Sequence, residues 1–356
     1  MSLTVILVFL LVAALAAVNG SNDVPKGVAT LAGAGVTNYR TAIIWGTGTT
    51  AAGCLCSLAL ASKMAKLFSS GIVTAQPTNA FAVAVLVGAA SWVALATALR
   101  LPVSTTHALL GGLLGAGVLL ASDGVAWSAV PEKLITPLLT SILVAYGISL
   151  VLALTVGRIG RSVASHAAGN DGAPGSVQPA GEGGVAVAQT TETAVVATTA
   201  PAAHRLLSGA HWLTSGATGF ARGLNDTPKM VAVGAFALVP AGMKTWQIML
   251  LVAVAMAAGS LTGGLRVAER LGEGVVKMNH KEGFLANLTT ATLVGLGAGY
   301  GLPMSTTHVS TGAIAGSAGF GLGRISGKTL GHFAIAWLVT PPFAAGVSAL
   351  VFLIAR

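Results

Sequence analysis

Charged residues are scarce in this chain of 356 residues, where Asp, Glu, Lys and Arg together make up 8% of the sequence. A water-soluble globular protein carries roughly a quarter charged residues. Hydrophobic residues make up 54% of this chain, and its mean hydropathy is +0.82. The shortage of charge therefore excludes a soluble domain of any size and predicts an integral membrane protein.

Cysteine is also nearly absent, because the chain contains only Cys54 and Cys56. Two positions that are two residues apart on a helix face different directions. We therefore interpret both cysteines as packing residues inside an apolar helix. The sequence predicts neither a disulfide framework nor a cysteine metal site.

Acidic residues are outnumbered by basic ones, 10 against 19, which gives a formal net charge of +9. No basic surface domain is present that could carry a nucleic acid, so we expect no nucleic-acid partner. Several basic residues fall in predicted loops, among them Arg158, Arg161 and Arg266. Because Lys and Arg in loops usually face the cytoplasm, we attribute the basic balance to membrane topology.

Long apolar runs occur throughout the chain, and a helix of about 20 residues spans roughly 30 Å of hydrocarbon. The first run has no basic segment before it, so we interpret it as a retained helix rather than a secretory signal. Several runs are short or glycine-rich, which predicts an all-α fold of about 10–12 membrane segments, counting broken and re-entrant ones. The runs lie at 3–18, 41–61, 80–99, 134–156, 246–265, 285–298 and 333–355.

Two polar motifs occur twice, and each interrupts an apolar region. Asn-Asp-x-Pro-Lys stands at 22–26 and at 225–229, and Leu-Pro-x-Ser-Thr-Thr-His stands at 101–107 and at 302–308. The copies are displaced by 203 and 201 residues. Interrupted segments at corresponding positions in two halves are typical of the substrate site of a secondary transporter.

A third pair of landmarks, Thr136-Pro137 and Thr340-Pro341, follows in the same order. The chain is therefore interpreted as two homologous membrane repeats, at 1–160 and 206–356. Between them, 161–205 is rich in Gly, Ala, Pro, Ser and Thr, which predicts a flexible linker.

The Asn-Asp motifs predict two carboxylates at membrane depth, where a charge costs several kcal/mol and normally faces a cavity or a partner. Pro25 suits the first turn of a helix, so a helix is expected to restart near Asn22 or Asp23. Carboxylate and amide oxygens are hard ligands and suit Na⁺ or a proton better than soft metals. A cap at the membrane surface is the alternative interpretation.

The Ser-Thr-Thr-His motifs predict an oxyanion site. Ser104 and Ser305 follow a Pro-x pair and are expected to cap short helices. Free backbone N–H groups, hydroxyl donors and the positive end of a helix dipole bind anions without a full positive charge. His107 and His308 are expected to support the site or to pack beside it, while a proton relay and direct contact with substrate remain alternatives.

Lys26 and Lys229 stand three residues after each aspartate, in the first turn of the expected half-helices, where the helix dipole disfavours a cation. Each could pair with its aspartate or lend positive charge to a bound anion. Snorkelling of the ammonium group to nearby water is the alternative.

At these motifs the chain resembles the inorganic phosphate transporter family, the PiT group, over both halves but not the linker. The resemblance implies two inverted-topology repeats with broken helices and re-entrant helical hairpins. It further implies a transport domain packed against a scaffold, a homodimer in the cytoplasmic membrane, and import of inorganic phosphate coupled to Na⁺ or H⁺ by alternating access. It implies no cofactor.

The resemblance also implies roles for particular residues. Asn22, Asp23, Asn225 and Asp226 would form the central cation and anion site. Thr136 and Thr340 would be further members of the cation shell. The residues that hold the phosphate oxygens from the tips of the hairpins would be Ser104, Thr105, Thr106, Ser305, Thr306 and Thr307.

The chain departs from the family pattern at its two Pro-Lys pairs, where many members carry small uncharged residues. This leaves the coupling ion open between Na⁺ and H⁺. Two aspartates and two lysines sum to zero, so a divalent oxyanion would need two further positive charges. We hypothesise that the lysines replace part of the sodium complement.

The same residues leave one alternative substrate open and disfavour three other functions. Sulfate is the main alternative substrate, because both oxyanions are tetrahedral and similar in size. A divalent-metal transporter using Asp23, Asp226, His107 and His308 is disfavoured because the lysines would repel its cargo. A channel is disfavoured by the discrete duplicated sites. An intramembrane enzyme is disfavoured because nothing orients the Ser-x-x-His pairs.

Overall fold

The computed structural model describes residues 2–121, 123–169, 201–274, 278–319 and 326–356, and it is an all-α protein. Two π-helical turns are described: Leu67–Gly71 directly follows the short helix Ser62–Lys66, and Pro131–Ile135 directly precedes the helix Thr136–Gly169. The α-helices of the described part are α1 Leu3–Gly33, α2 Tyr39–Leu60, α3 Ser62–Lys66, α4 Asn79–Ala98, α5 Thr105–Leu120, α6 Thr136–Gly169, α7 Pro201–Leu238, α8 Thr245–Gly274, α9 His280–Tyr300, α10 Thr306–Ser317 and α11 Gly327–Ala355.

Six helical segments in the described ranges are long and apolar enough to cross a bilayer, which confirms the prediction of a multi-pass membrane protein. They are Leu3–Gly33, Tyr39–Leu60, Asn79–Ala98, Leu139–Ile159, Thr245–Leu271 and Gly327–Ala355. The shorter α5, together with α7, α9 and α10, packs among them. The total number of membrane crossings stays a prediction.

The two Asn-Asp-x-Pro-Lys motifs lie in the interiors of α1 and α7, which pass through Pro25 and Pro228 without interruption. The expected restart of a helix near Asn22 or Asp23 is therefore wrong. An interior proline costs about 3 kcal/mol because it removes one backbone hydrogen bond. Packing of α1 along α8 holds the helix together there, and the Ser21 hydroxyl donates to the Gly259 carbonyl at 2.7 Å.

Corresponding helices of the two halves make corresponding contacts. α1 packs against α8 and α7 packs against α2; α5 packs against α11 and α10 packs against α6. The halves thus interlock across the repeat boundary. The inverted topology of the repeats stays a prediction. Within the expected linker 161–205, α6 reaches Gly169 and α7 begins at Pro201, and 170–200 lie outside the described residues.

Glycines allow the closest of these crossings. A Cβ atom at Gly111 of α5 would collide with the Pro341 carbonyl of α11, and one at Gly312 of α10 would collide with the Ile142 carbonyl of α6. Small residues let helix backbones approach within a membrane. The two repeats therefore use equivalent glycines to hold their shorter helices.

Substituting valine at Gly111 or Gly312 is expected to destabilise the protein by about 1–3 kcal/mol, because the added side chain would force two backbones apart. The measurement is the melting temperature of the purified protein in detergent. Gly346→Ala is the matched control, since a Cβ at Gly346 meets no atom within 4 Å. Equal melting temperatures for all three variants would contradict the packing argument.

Candidate functional site

Two helical hairpins bring their tips to the centres of α1 and α7. α4 and α5 form the first hairpin, α9 and α10 the second. At the first tip, the Val103 N–H donates to Asn22 Oδ1 at 3.0 Å, and Asn22 Nδ2 donates to the Leu101 carbonyl at 2.9 Å. At the second tip, Asn225 Nδ2 donates to the Met304 carbonyl at 3.0 Å. Asn22 thus binds the tip of the first hairpin to α1, and Asn225 binds the tip of the second hairpin to α7.

The serines of the tips cap the returning helices. Ser104 Oγ accepts from the His107 N–H and Ser305 Oγ from the His308 N–H, each at 3.3 Å. This confirms the predicted caps at the N-termini of α5 and α10. The N–H groups that begin a helix have no acceptor within it, so both termini direct positive partial charge towards the space between α1 and α7.

The two aspartates lie close together in that space, both almost fully buried. Asn19 Nδ2 lies 2.6 Å from Asp23 Oδ2 and 3.5 Å from Asp226 Oδ2, so one amide links the carboxylates of both halves. The same amide is 2.9 Å from Thr105 Oγ1, and Thr105 Oγ1 donates to Asp23 Oδ2 at 3.2 Å. The helix α5 is thereby joined to the Asp23 carboxylate.

Each lysine contacts the hairpin of the opposite half. The Lys26 ammonium donates to Asp23 and reaches Thr307 Oγ1 at 2.6 Å. The Lys229 ammonium lies 3.3 Å from Asp226 Oδ1 and donates to Thr106 Oγ1 at 2.6 Å. These four contacts cross-link α1, α7 and both hairpin tips.

Arg222 is the functional candidate that sequence reasoning missed. It lies one helical turn before Asn225 on α7, is only 1% exposed, and donates from Nη2 to Thr50 Oγ1 at 2.9 Å. Its charge interacts with those of Asp23 and Asp226. At the repeat distance of 203 residues its counterpart is Asn19, which was also missed. A lone arginine in an apolar run beside a duplicated motif was the available signal.

The structure places the remaining predicted residues as follows. Thr306 is a buried residue in the first turn of α10. Thr136 is exposed at the start of α6. Thr340 donates to the Ala336 carbonyl at 2.7 Å and accepts from Trp92 Nε1 at 2.6 Å. Among the described hydrogen bonds, none joins Thr136 or Thr340 to the aspartates.

The two histidines face each other beside the hairpin tips, with ring centroids 4.8 Å apart, and the His308 ring lies 4.2 Å from that of Trp337. They border an apolar cavity of about 420 Å³, together with Leu110 and Pro341. Their rings therefore contribute to packing between the hairpins.

A family model described as "Phosphate transporter family" matches residues 19–348. The chain belongs to the phosphate transporter family. A relative from Mycobacterium leprae (strain TN), named "Probable low-affinity inorganic phosphate transporter", is 31% identical over 348 residues, which cover 94% of this chain and 74% of the relative. The resemblance stated from the motifs is confirmed, and the family is one of transporters rather than enzymes.

Two further comparisons extend over nearly the whole chain. A relative of the same name from Rhizobium meliloti (strain 1021) is 27% identical over 345 residues, covering 94% of this chain and 91% of the relative. A solved structure named "The sodium-dependent phosphate transporter" superposes with a TM-score of 0.76 at 23% identity and covers 99% of both chains. This superposition shows that the chain has the fold of that transporter.

Proposed function

We propose that this chain imports inorganic phosphate across the cytoplasmic membrane and binds it between the two hairpin tips and the centres of α1 and α7. The observation that carries the proposal is the convergence of two helix N-termini and two buried lysine ammonium groups on the aspartates between α1 and α7. Helix N-termini and cations both bind oxyanions. Family membership supports phosphate as the substrate.

The two aspartates favour phosphate over sulfate. Both phosphate species present near neutral pH carry at least one proton, which an Asp carboxylate accepts in a hydrogen bond. Sulfate carries no proton at that pH, so it cannot donate a hydrogen bond to either carboxylate. Hydroxyl groups of Thr105, Thr106, Thr306 and Thr307 would hold the remaining oxygens.

Access to this site requires movement. Asp23, Asp226, Lys26 and Lys229 are all buried, and their contacts join α1 and α7 to both hairpins. Exchange of these contacts would open the site first to one side of the membrane and then to the other. We therefore propose alternating access as a secondary transporter, coupled to Na⁺ or H⁺, in a homodimeric assembly.

Uptake of labelled phosphate into proteoliposomes tests the proposed function. Purified protein should accumulate phosphate under an imposed inward Na⁺ gradient or an imposed acid-outside pH gradient, and protein-free liposomes should not. Excess unlabelled phosphate should abolish the signal, and excess sulfate should leave most of it. Accumulation that sulfate suppresses as strongly as phosphate would identify a general oxyanion permease instead.

Thr306→Val is expected to raise the half-saturating phosphate concentration about tenfold, because a hydrogen bond to a charged ligand contributes roughly 1.5–3 kcal/mol. Ser317→Ala at the far end of α10 is the control, since its hydroxyl donates only to the Ile314 carbonyl among the described contacts. Equal half-saturation in the two variants would place the phosphate elsewhere.

A further inference from the structure

The two lysine ammonium groups lie in matching sets of oxygen atoms. Lys26 Nζ donates to an Asp23 carboxylate oxygen, to the Val103 carbonyl at 2.6 Å and to Thr307 Oγ1 at 2.6 Å. Each set consists of a carboxylate on the same helix, a carbonyl of the same repeat's hairpin tip, and a threonine hydroxyl of the opposite repeat.

The second set repeats the first. Lys229 Nζ lies 3.3 Å from Asp226 Oδ1, 3.4 Å from the Met304 carbonyl and 2.6 Å from Thr106 Oγ1. Carboxylate, carbonyl and hydroxyl oxygens are the ligands that hard cations prefer. The ammonium groups therefore stand where the protein offers a small cation its ligands.

We propose that Lys26 and Lys229 are tethered cations that take the places of free coupling cations, so that phosphate transport by this chain does not require Na⁺. The inference rests on the proposed function. It deepens that function by choosing between the two coupling ions left open above.

The charges of the buried centre support this choice. Counted as formal charges, Asp23 and Asp226 contribute two negative charges, and Lys26, Lys229 and Arg222 contribute three positive ones. The formal charge of the described centre is thus +1, which monovalent phosphate neutralises without any free cation. Divalent phosphate needs one further positive charge, which a proton supplies. Without the lysines, the same centre would need two free cations for monovalent phosphate.

Burial argues against the alternative role of the lysines as snorkelling side chains. Lys26 is 4% exposed and Lys229 is 1% exposed, so neither ammonium group reaches water. A lysine that served only as a salt-bridge partner within its helix would contact just the aspartate three residues before it. Instead, each ammonium group contacts both hairpin tips, whose contacts change during the proposed transport cycle.

The test compares the wild-type protein with Lys26→Ala, Lys229→Ala and the double variant, and Lys244→Ala at an exposed position is the control. Labelled-phosphate uptake is measured in proteoliposomes under an acid-outside pH gradient, with NaCl or choline chloride as the salt. Wild type and control should transport equally in both salts. Each variant should lose about tenfold or more of its uptake in choline and recover in Na⁺, which then occupies the vacated oxygens.

A second measurement does not depend on transport. The melting temperature of the detergent-purified variants should rise when NaCl replaces choline chloride, because a cation that binds the folded state stabilises it. The wild-type protein should show no such rise.

The outcomes separate the two proposals. Wild-type uptake that requires Na⁺, or variants that show neither Na⁺-dependent uptake nor Na⁺-dependent stabilisation, would overturn the tethered-cation inference and leave phosphate transport standing. Absence of wild-type phosphate uptake in every salt and gradient would instead overturn the proposed function. In that case, stabilisation of the variants by Na⁺ would still decide whether the lysines occupy cation sites.

Discussion

Asp23→Asn and Asp226→Asn are each expected to lower the rate of phosphate uptake about a hundredfold or more, with the protein still folded. Asparagine keeps the shape of the side chain but leaves the neighbouring lysine without its counter-charge. The centre would then carry one more positive charge through every conformational step. A hundredfold loss corresponds to about 2.7 kcal/mol, which one uncompensated charge in a poorly solvated interior readily exceeds.

The measurement is initial uptake in proteoliposomes, with equal amounts of folded protein verified by gel filtration. Asp123→Asn is the matched control, because Asp123 is an exposed residue of a connecting segment. The loss should not be recovered at saturating phosphate, since the defect lies in reorientation of the centre as well as in binding. Transport near the wild-type rate by either variant would remove that aspartate from the proposed centre.

Arg222→Gln is expected to raise the half-saturating phosphate concentration at least about tenfold. Glutamine can still donate to Thr50, but it removes one of the three positive charges and makes the described centre electrically neutral before phosphate enters. The substitution also leaves the two buried aspartates with one compensating positive charge fewer, which costs stability. A lower melting temperature should therefore accompany the weaker binding.

Two further variants separate charge from packing at this position. Arg222→Lys retains the positive charge and should bind phosphate more tightly than Arg222→Gln. The hydrogen bond to Thr50 should be weaker, because lysine lacks the planar guanidinium group of arginine. Arg266→Gln, at an exposed position of α8, should change neither property. Equal phosphate affinity for the Lys and Gln variants would show that Arg222 acts through packing rather than through its charge.

The local chemistry of the site was largely predictable from the two motifs. Ser104 and Ser305 were predicted to cap helices because serine after a proline-containing turn is a strong cap, and both do so. The resemblance to the phosphate transporter family implied that the asparagines and aspartates of the two motifs share one central site. The cap predictions depend on the chemistry of residues that are close together in the sequence.

Predictions failed where longer-range packing competed with local preference. Pro25 favours the first turn of a helix, yet α1 continues through it because α1 packs along α8 at the motif. Arg222 was overlooked because its copy in the first repeat is Asn19, so the duplication that highlighted the other residues concealed this one. Asn19 and Arg222 occupy equivalent positions in the two repeats but differ in charge: Asn19 contacts the Asp23 carboxylate through its amide, and the Arg222 charge interacts with both aspartates.

Composition by itself determined that this protein spans a membrane, and the repetition predicted two related halves that each carry one Asn-Asp motif and one Ser-Thr-Thr-His motif. Only the tertiary structure decided which groups meet. Lys26 pairs with Thr307 and Lys229 with Thr106, across the boundary between the repeats. Such contacts depend on how the hairpins dock between α1 and α7, because the close approach of glycine-containing helices brings together residues that are far apart along the chain.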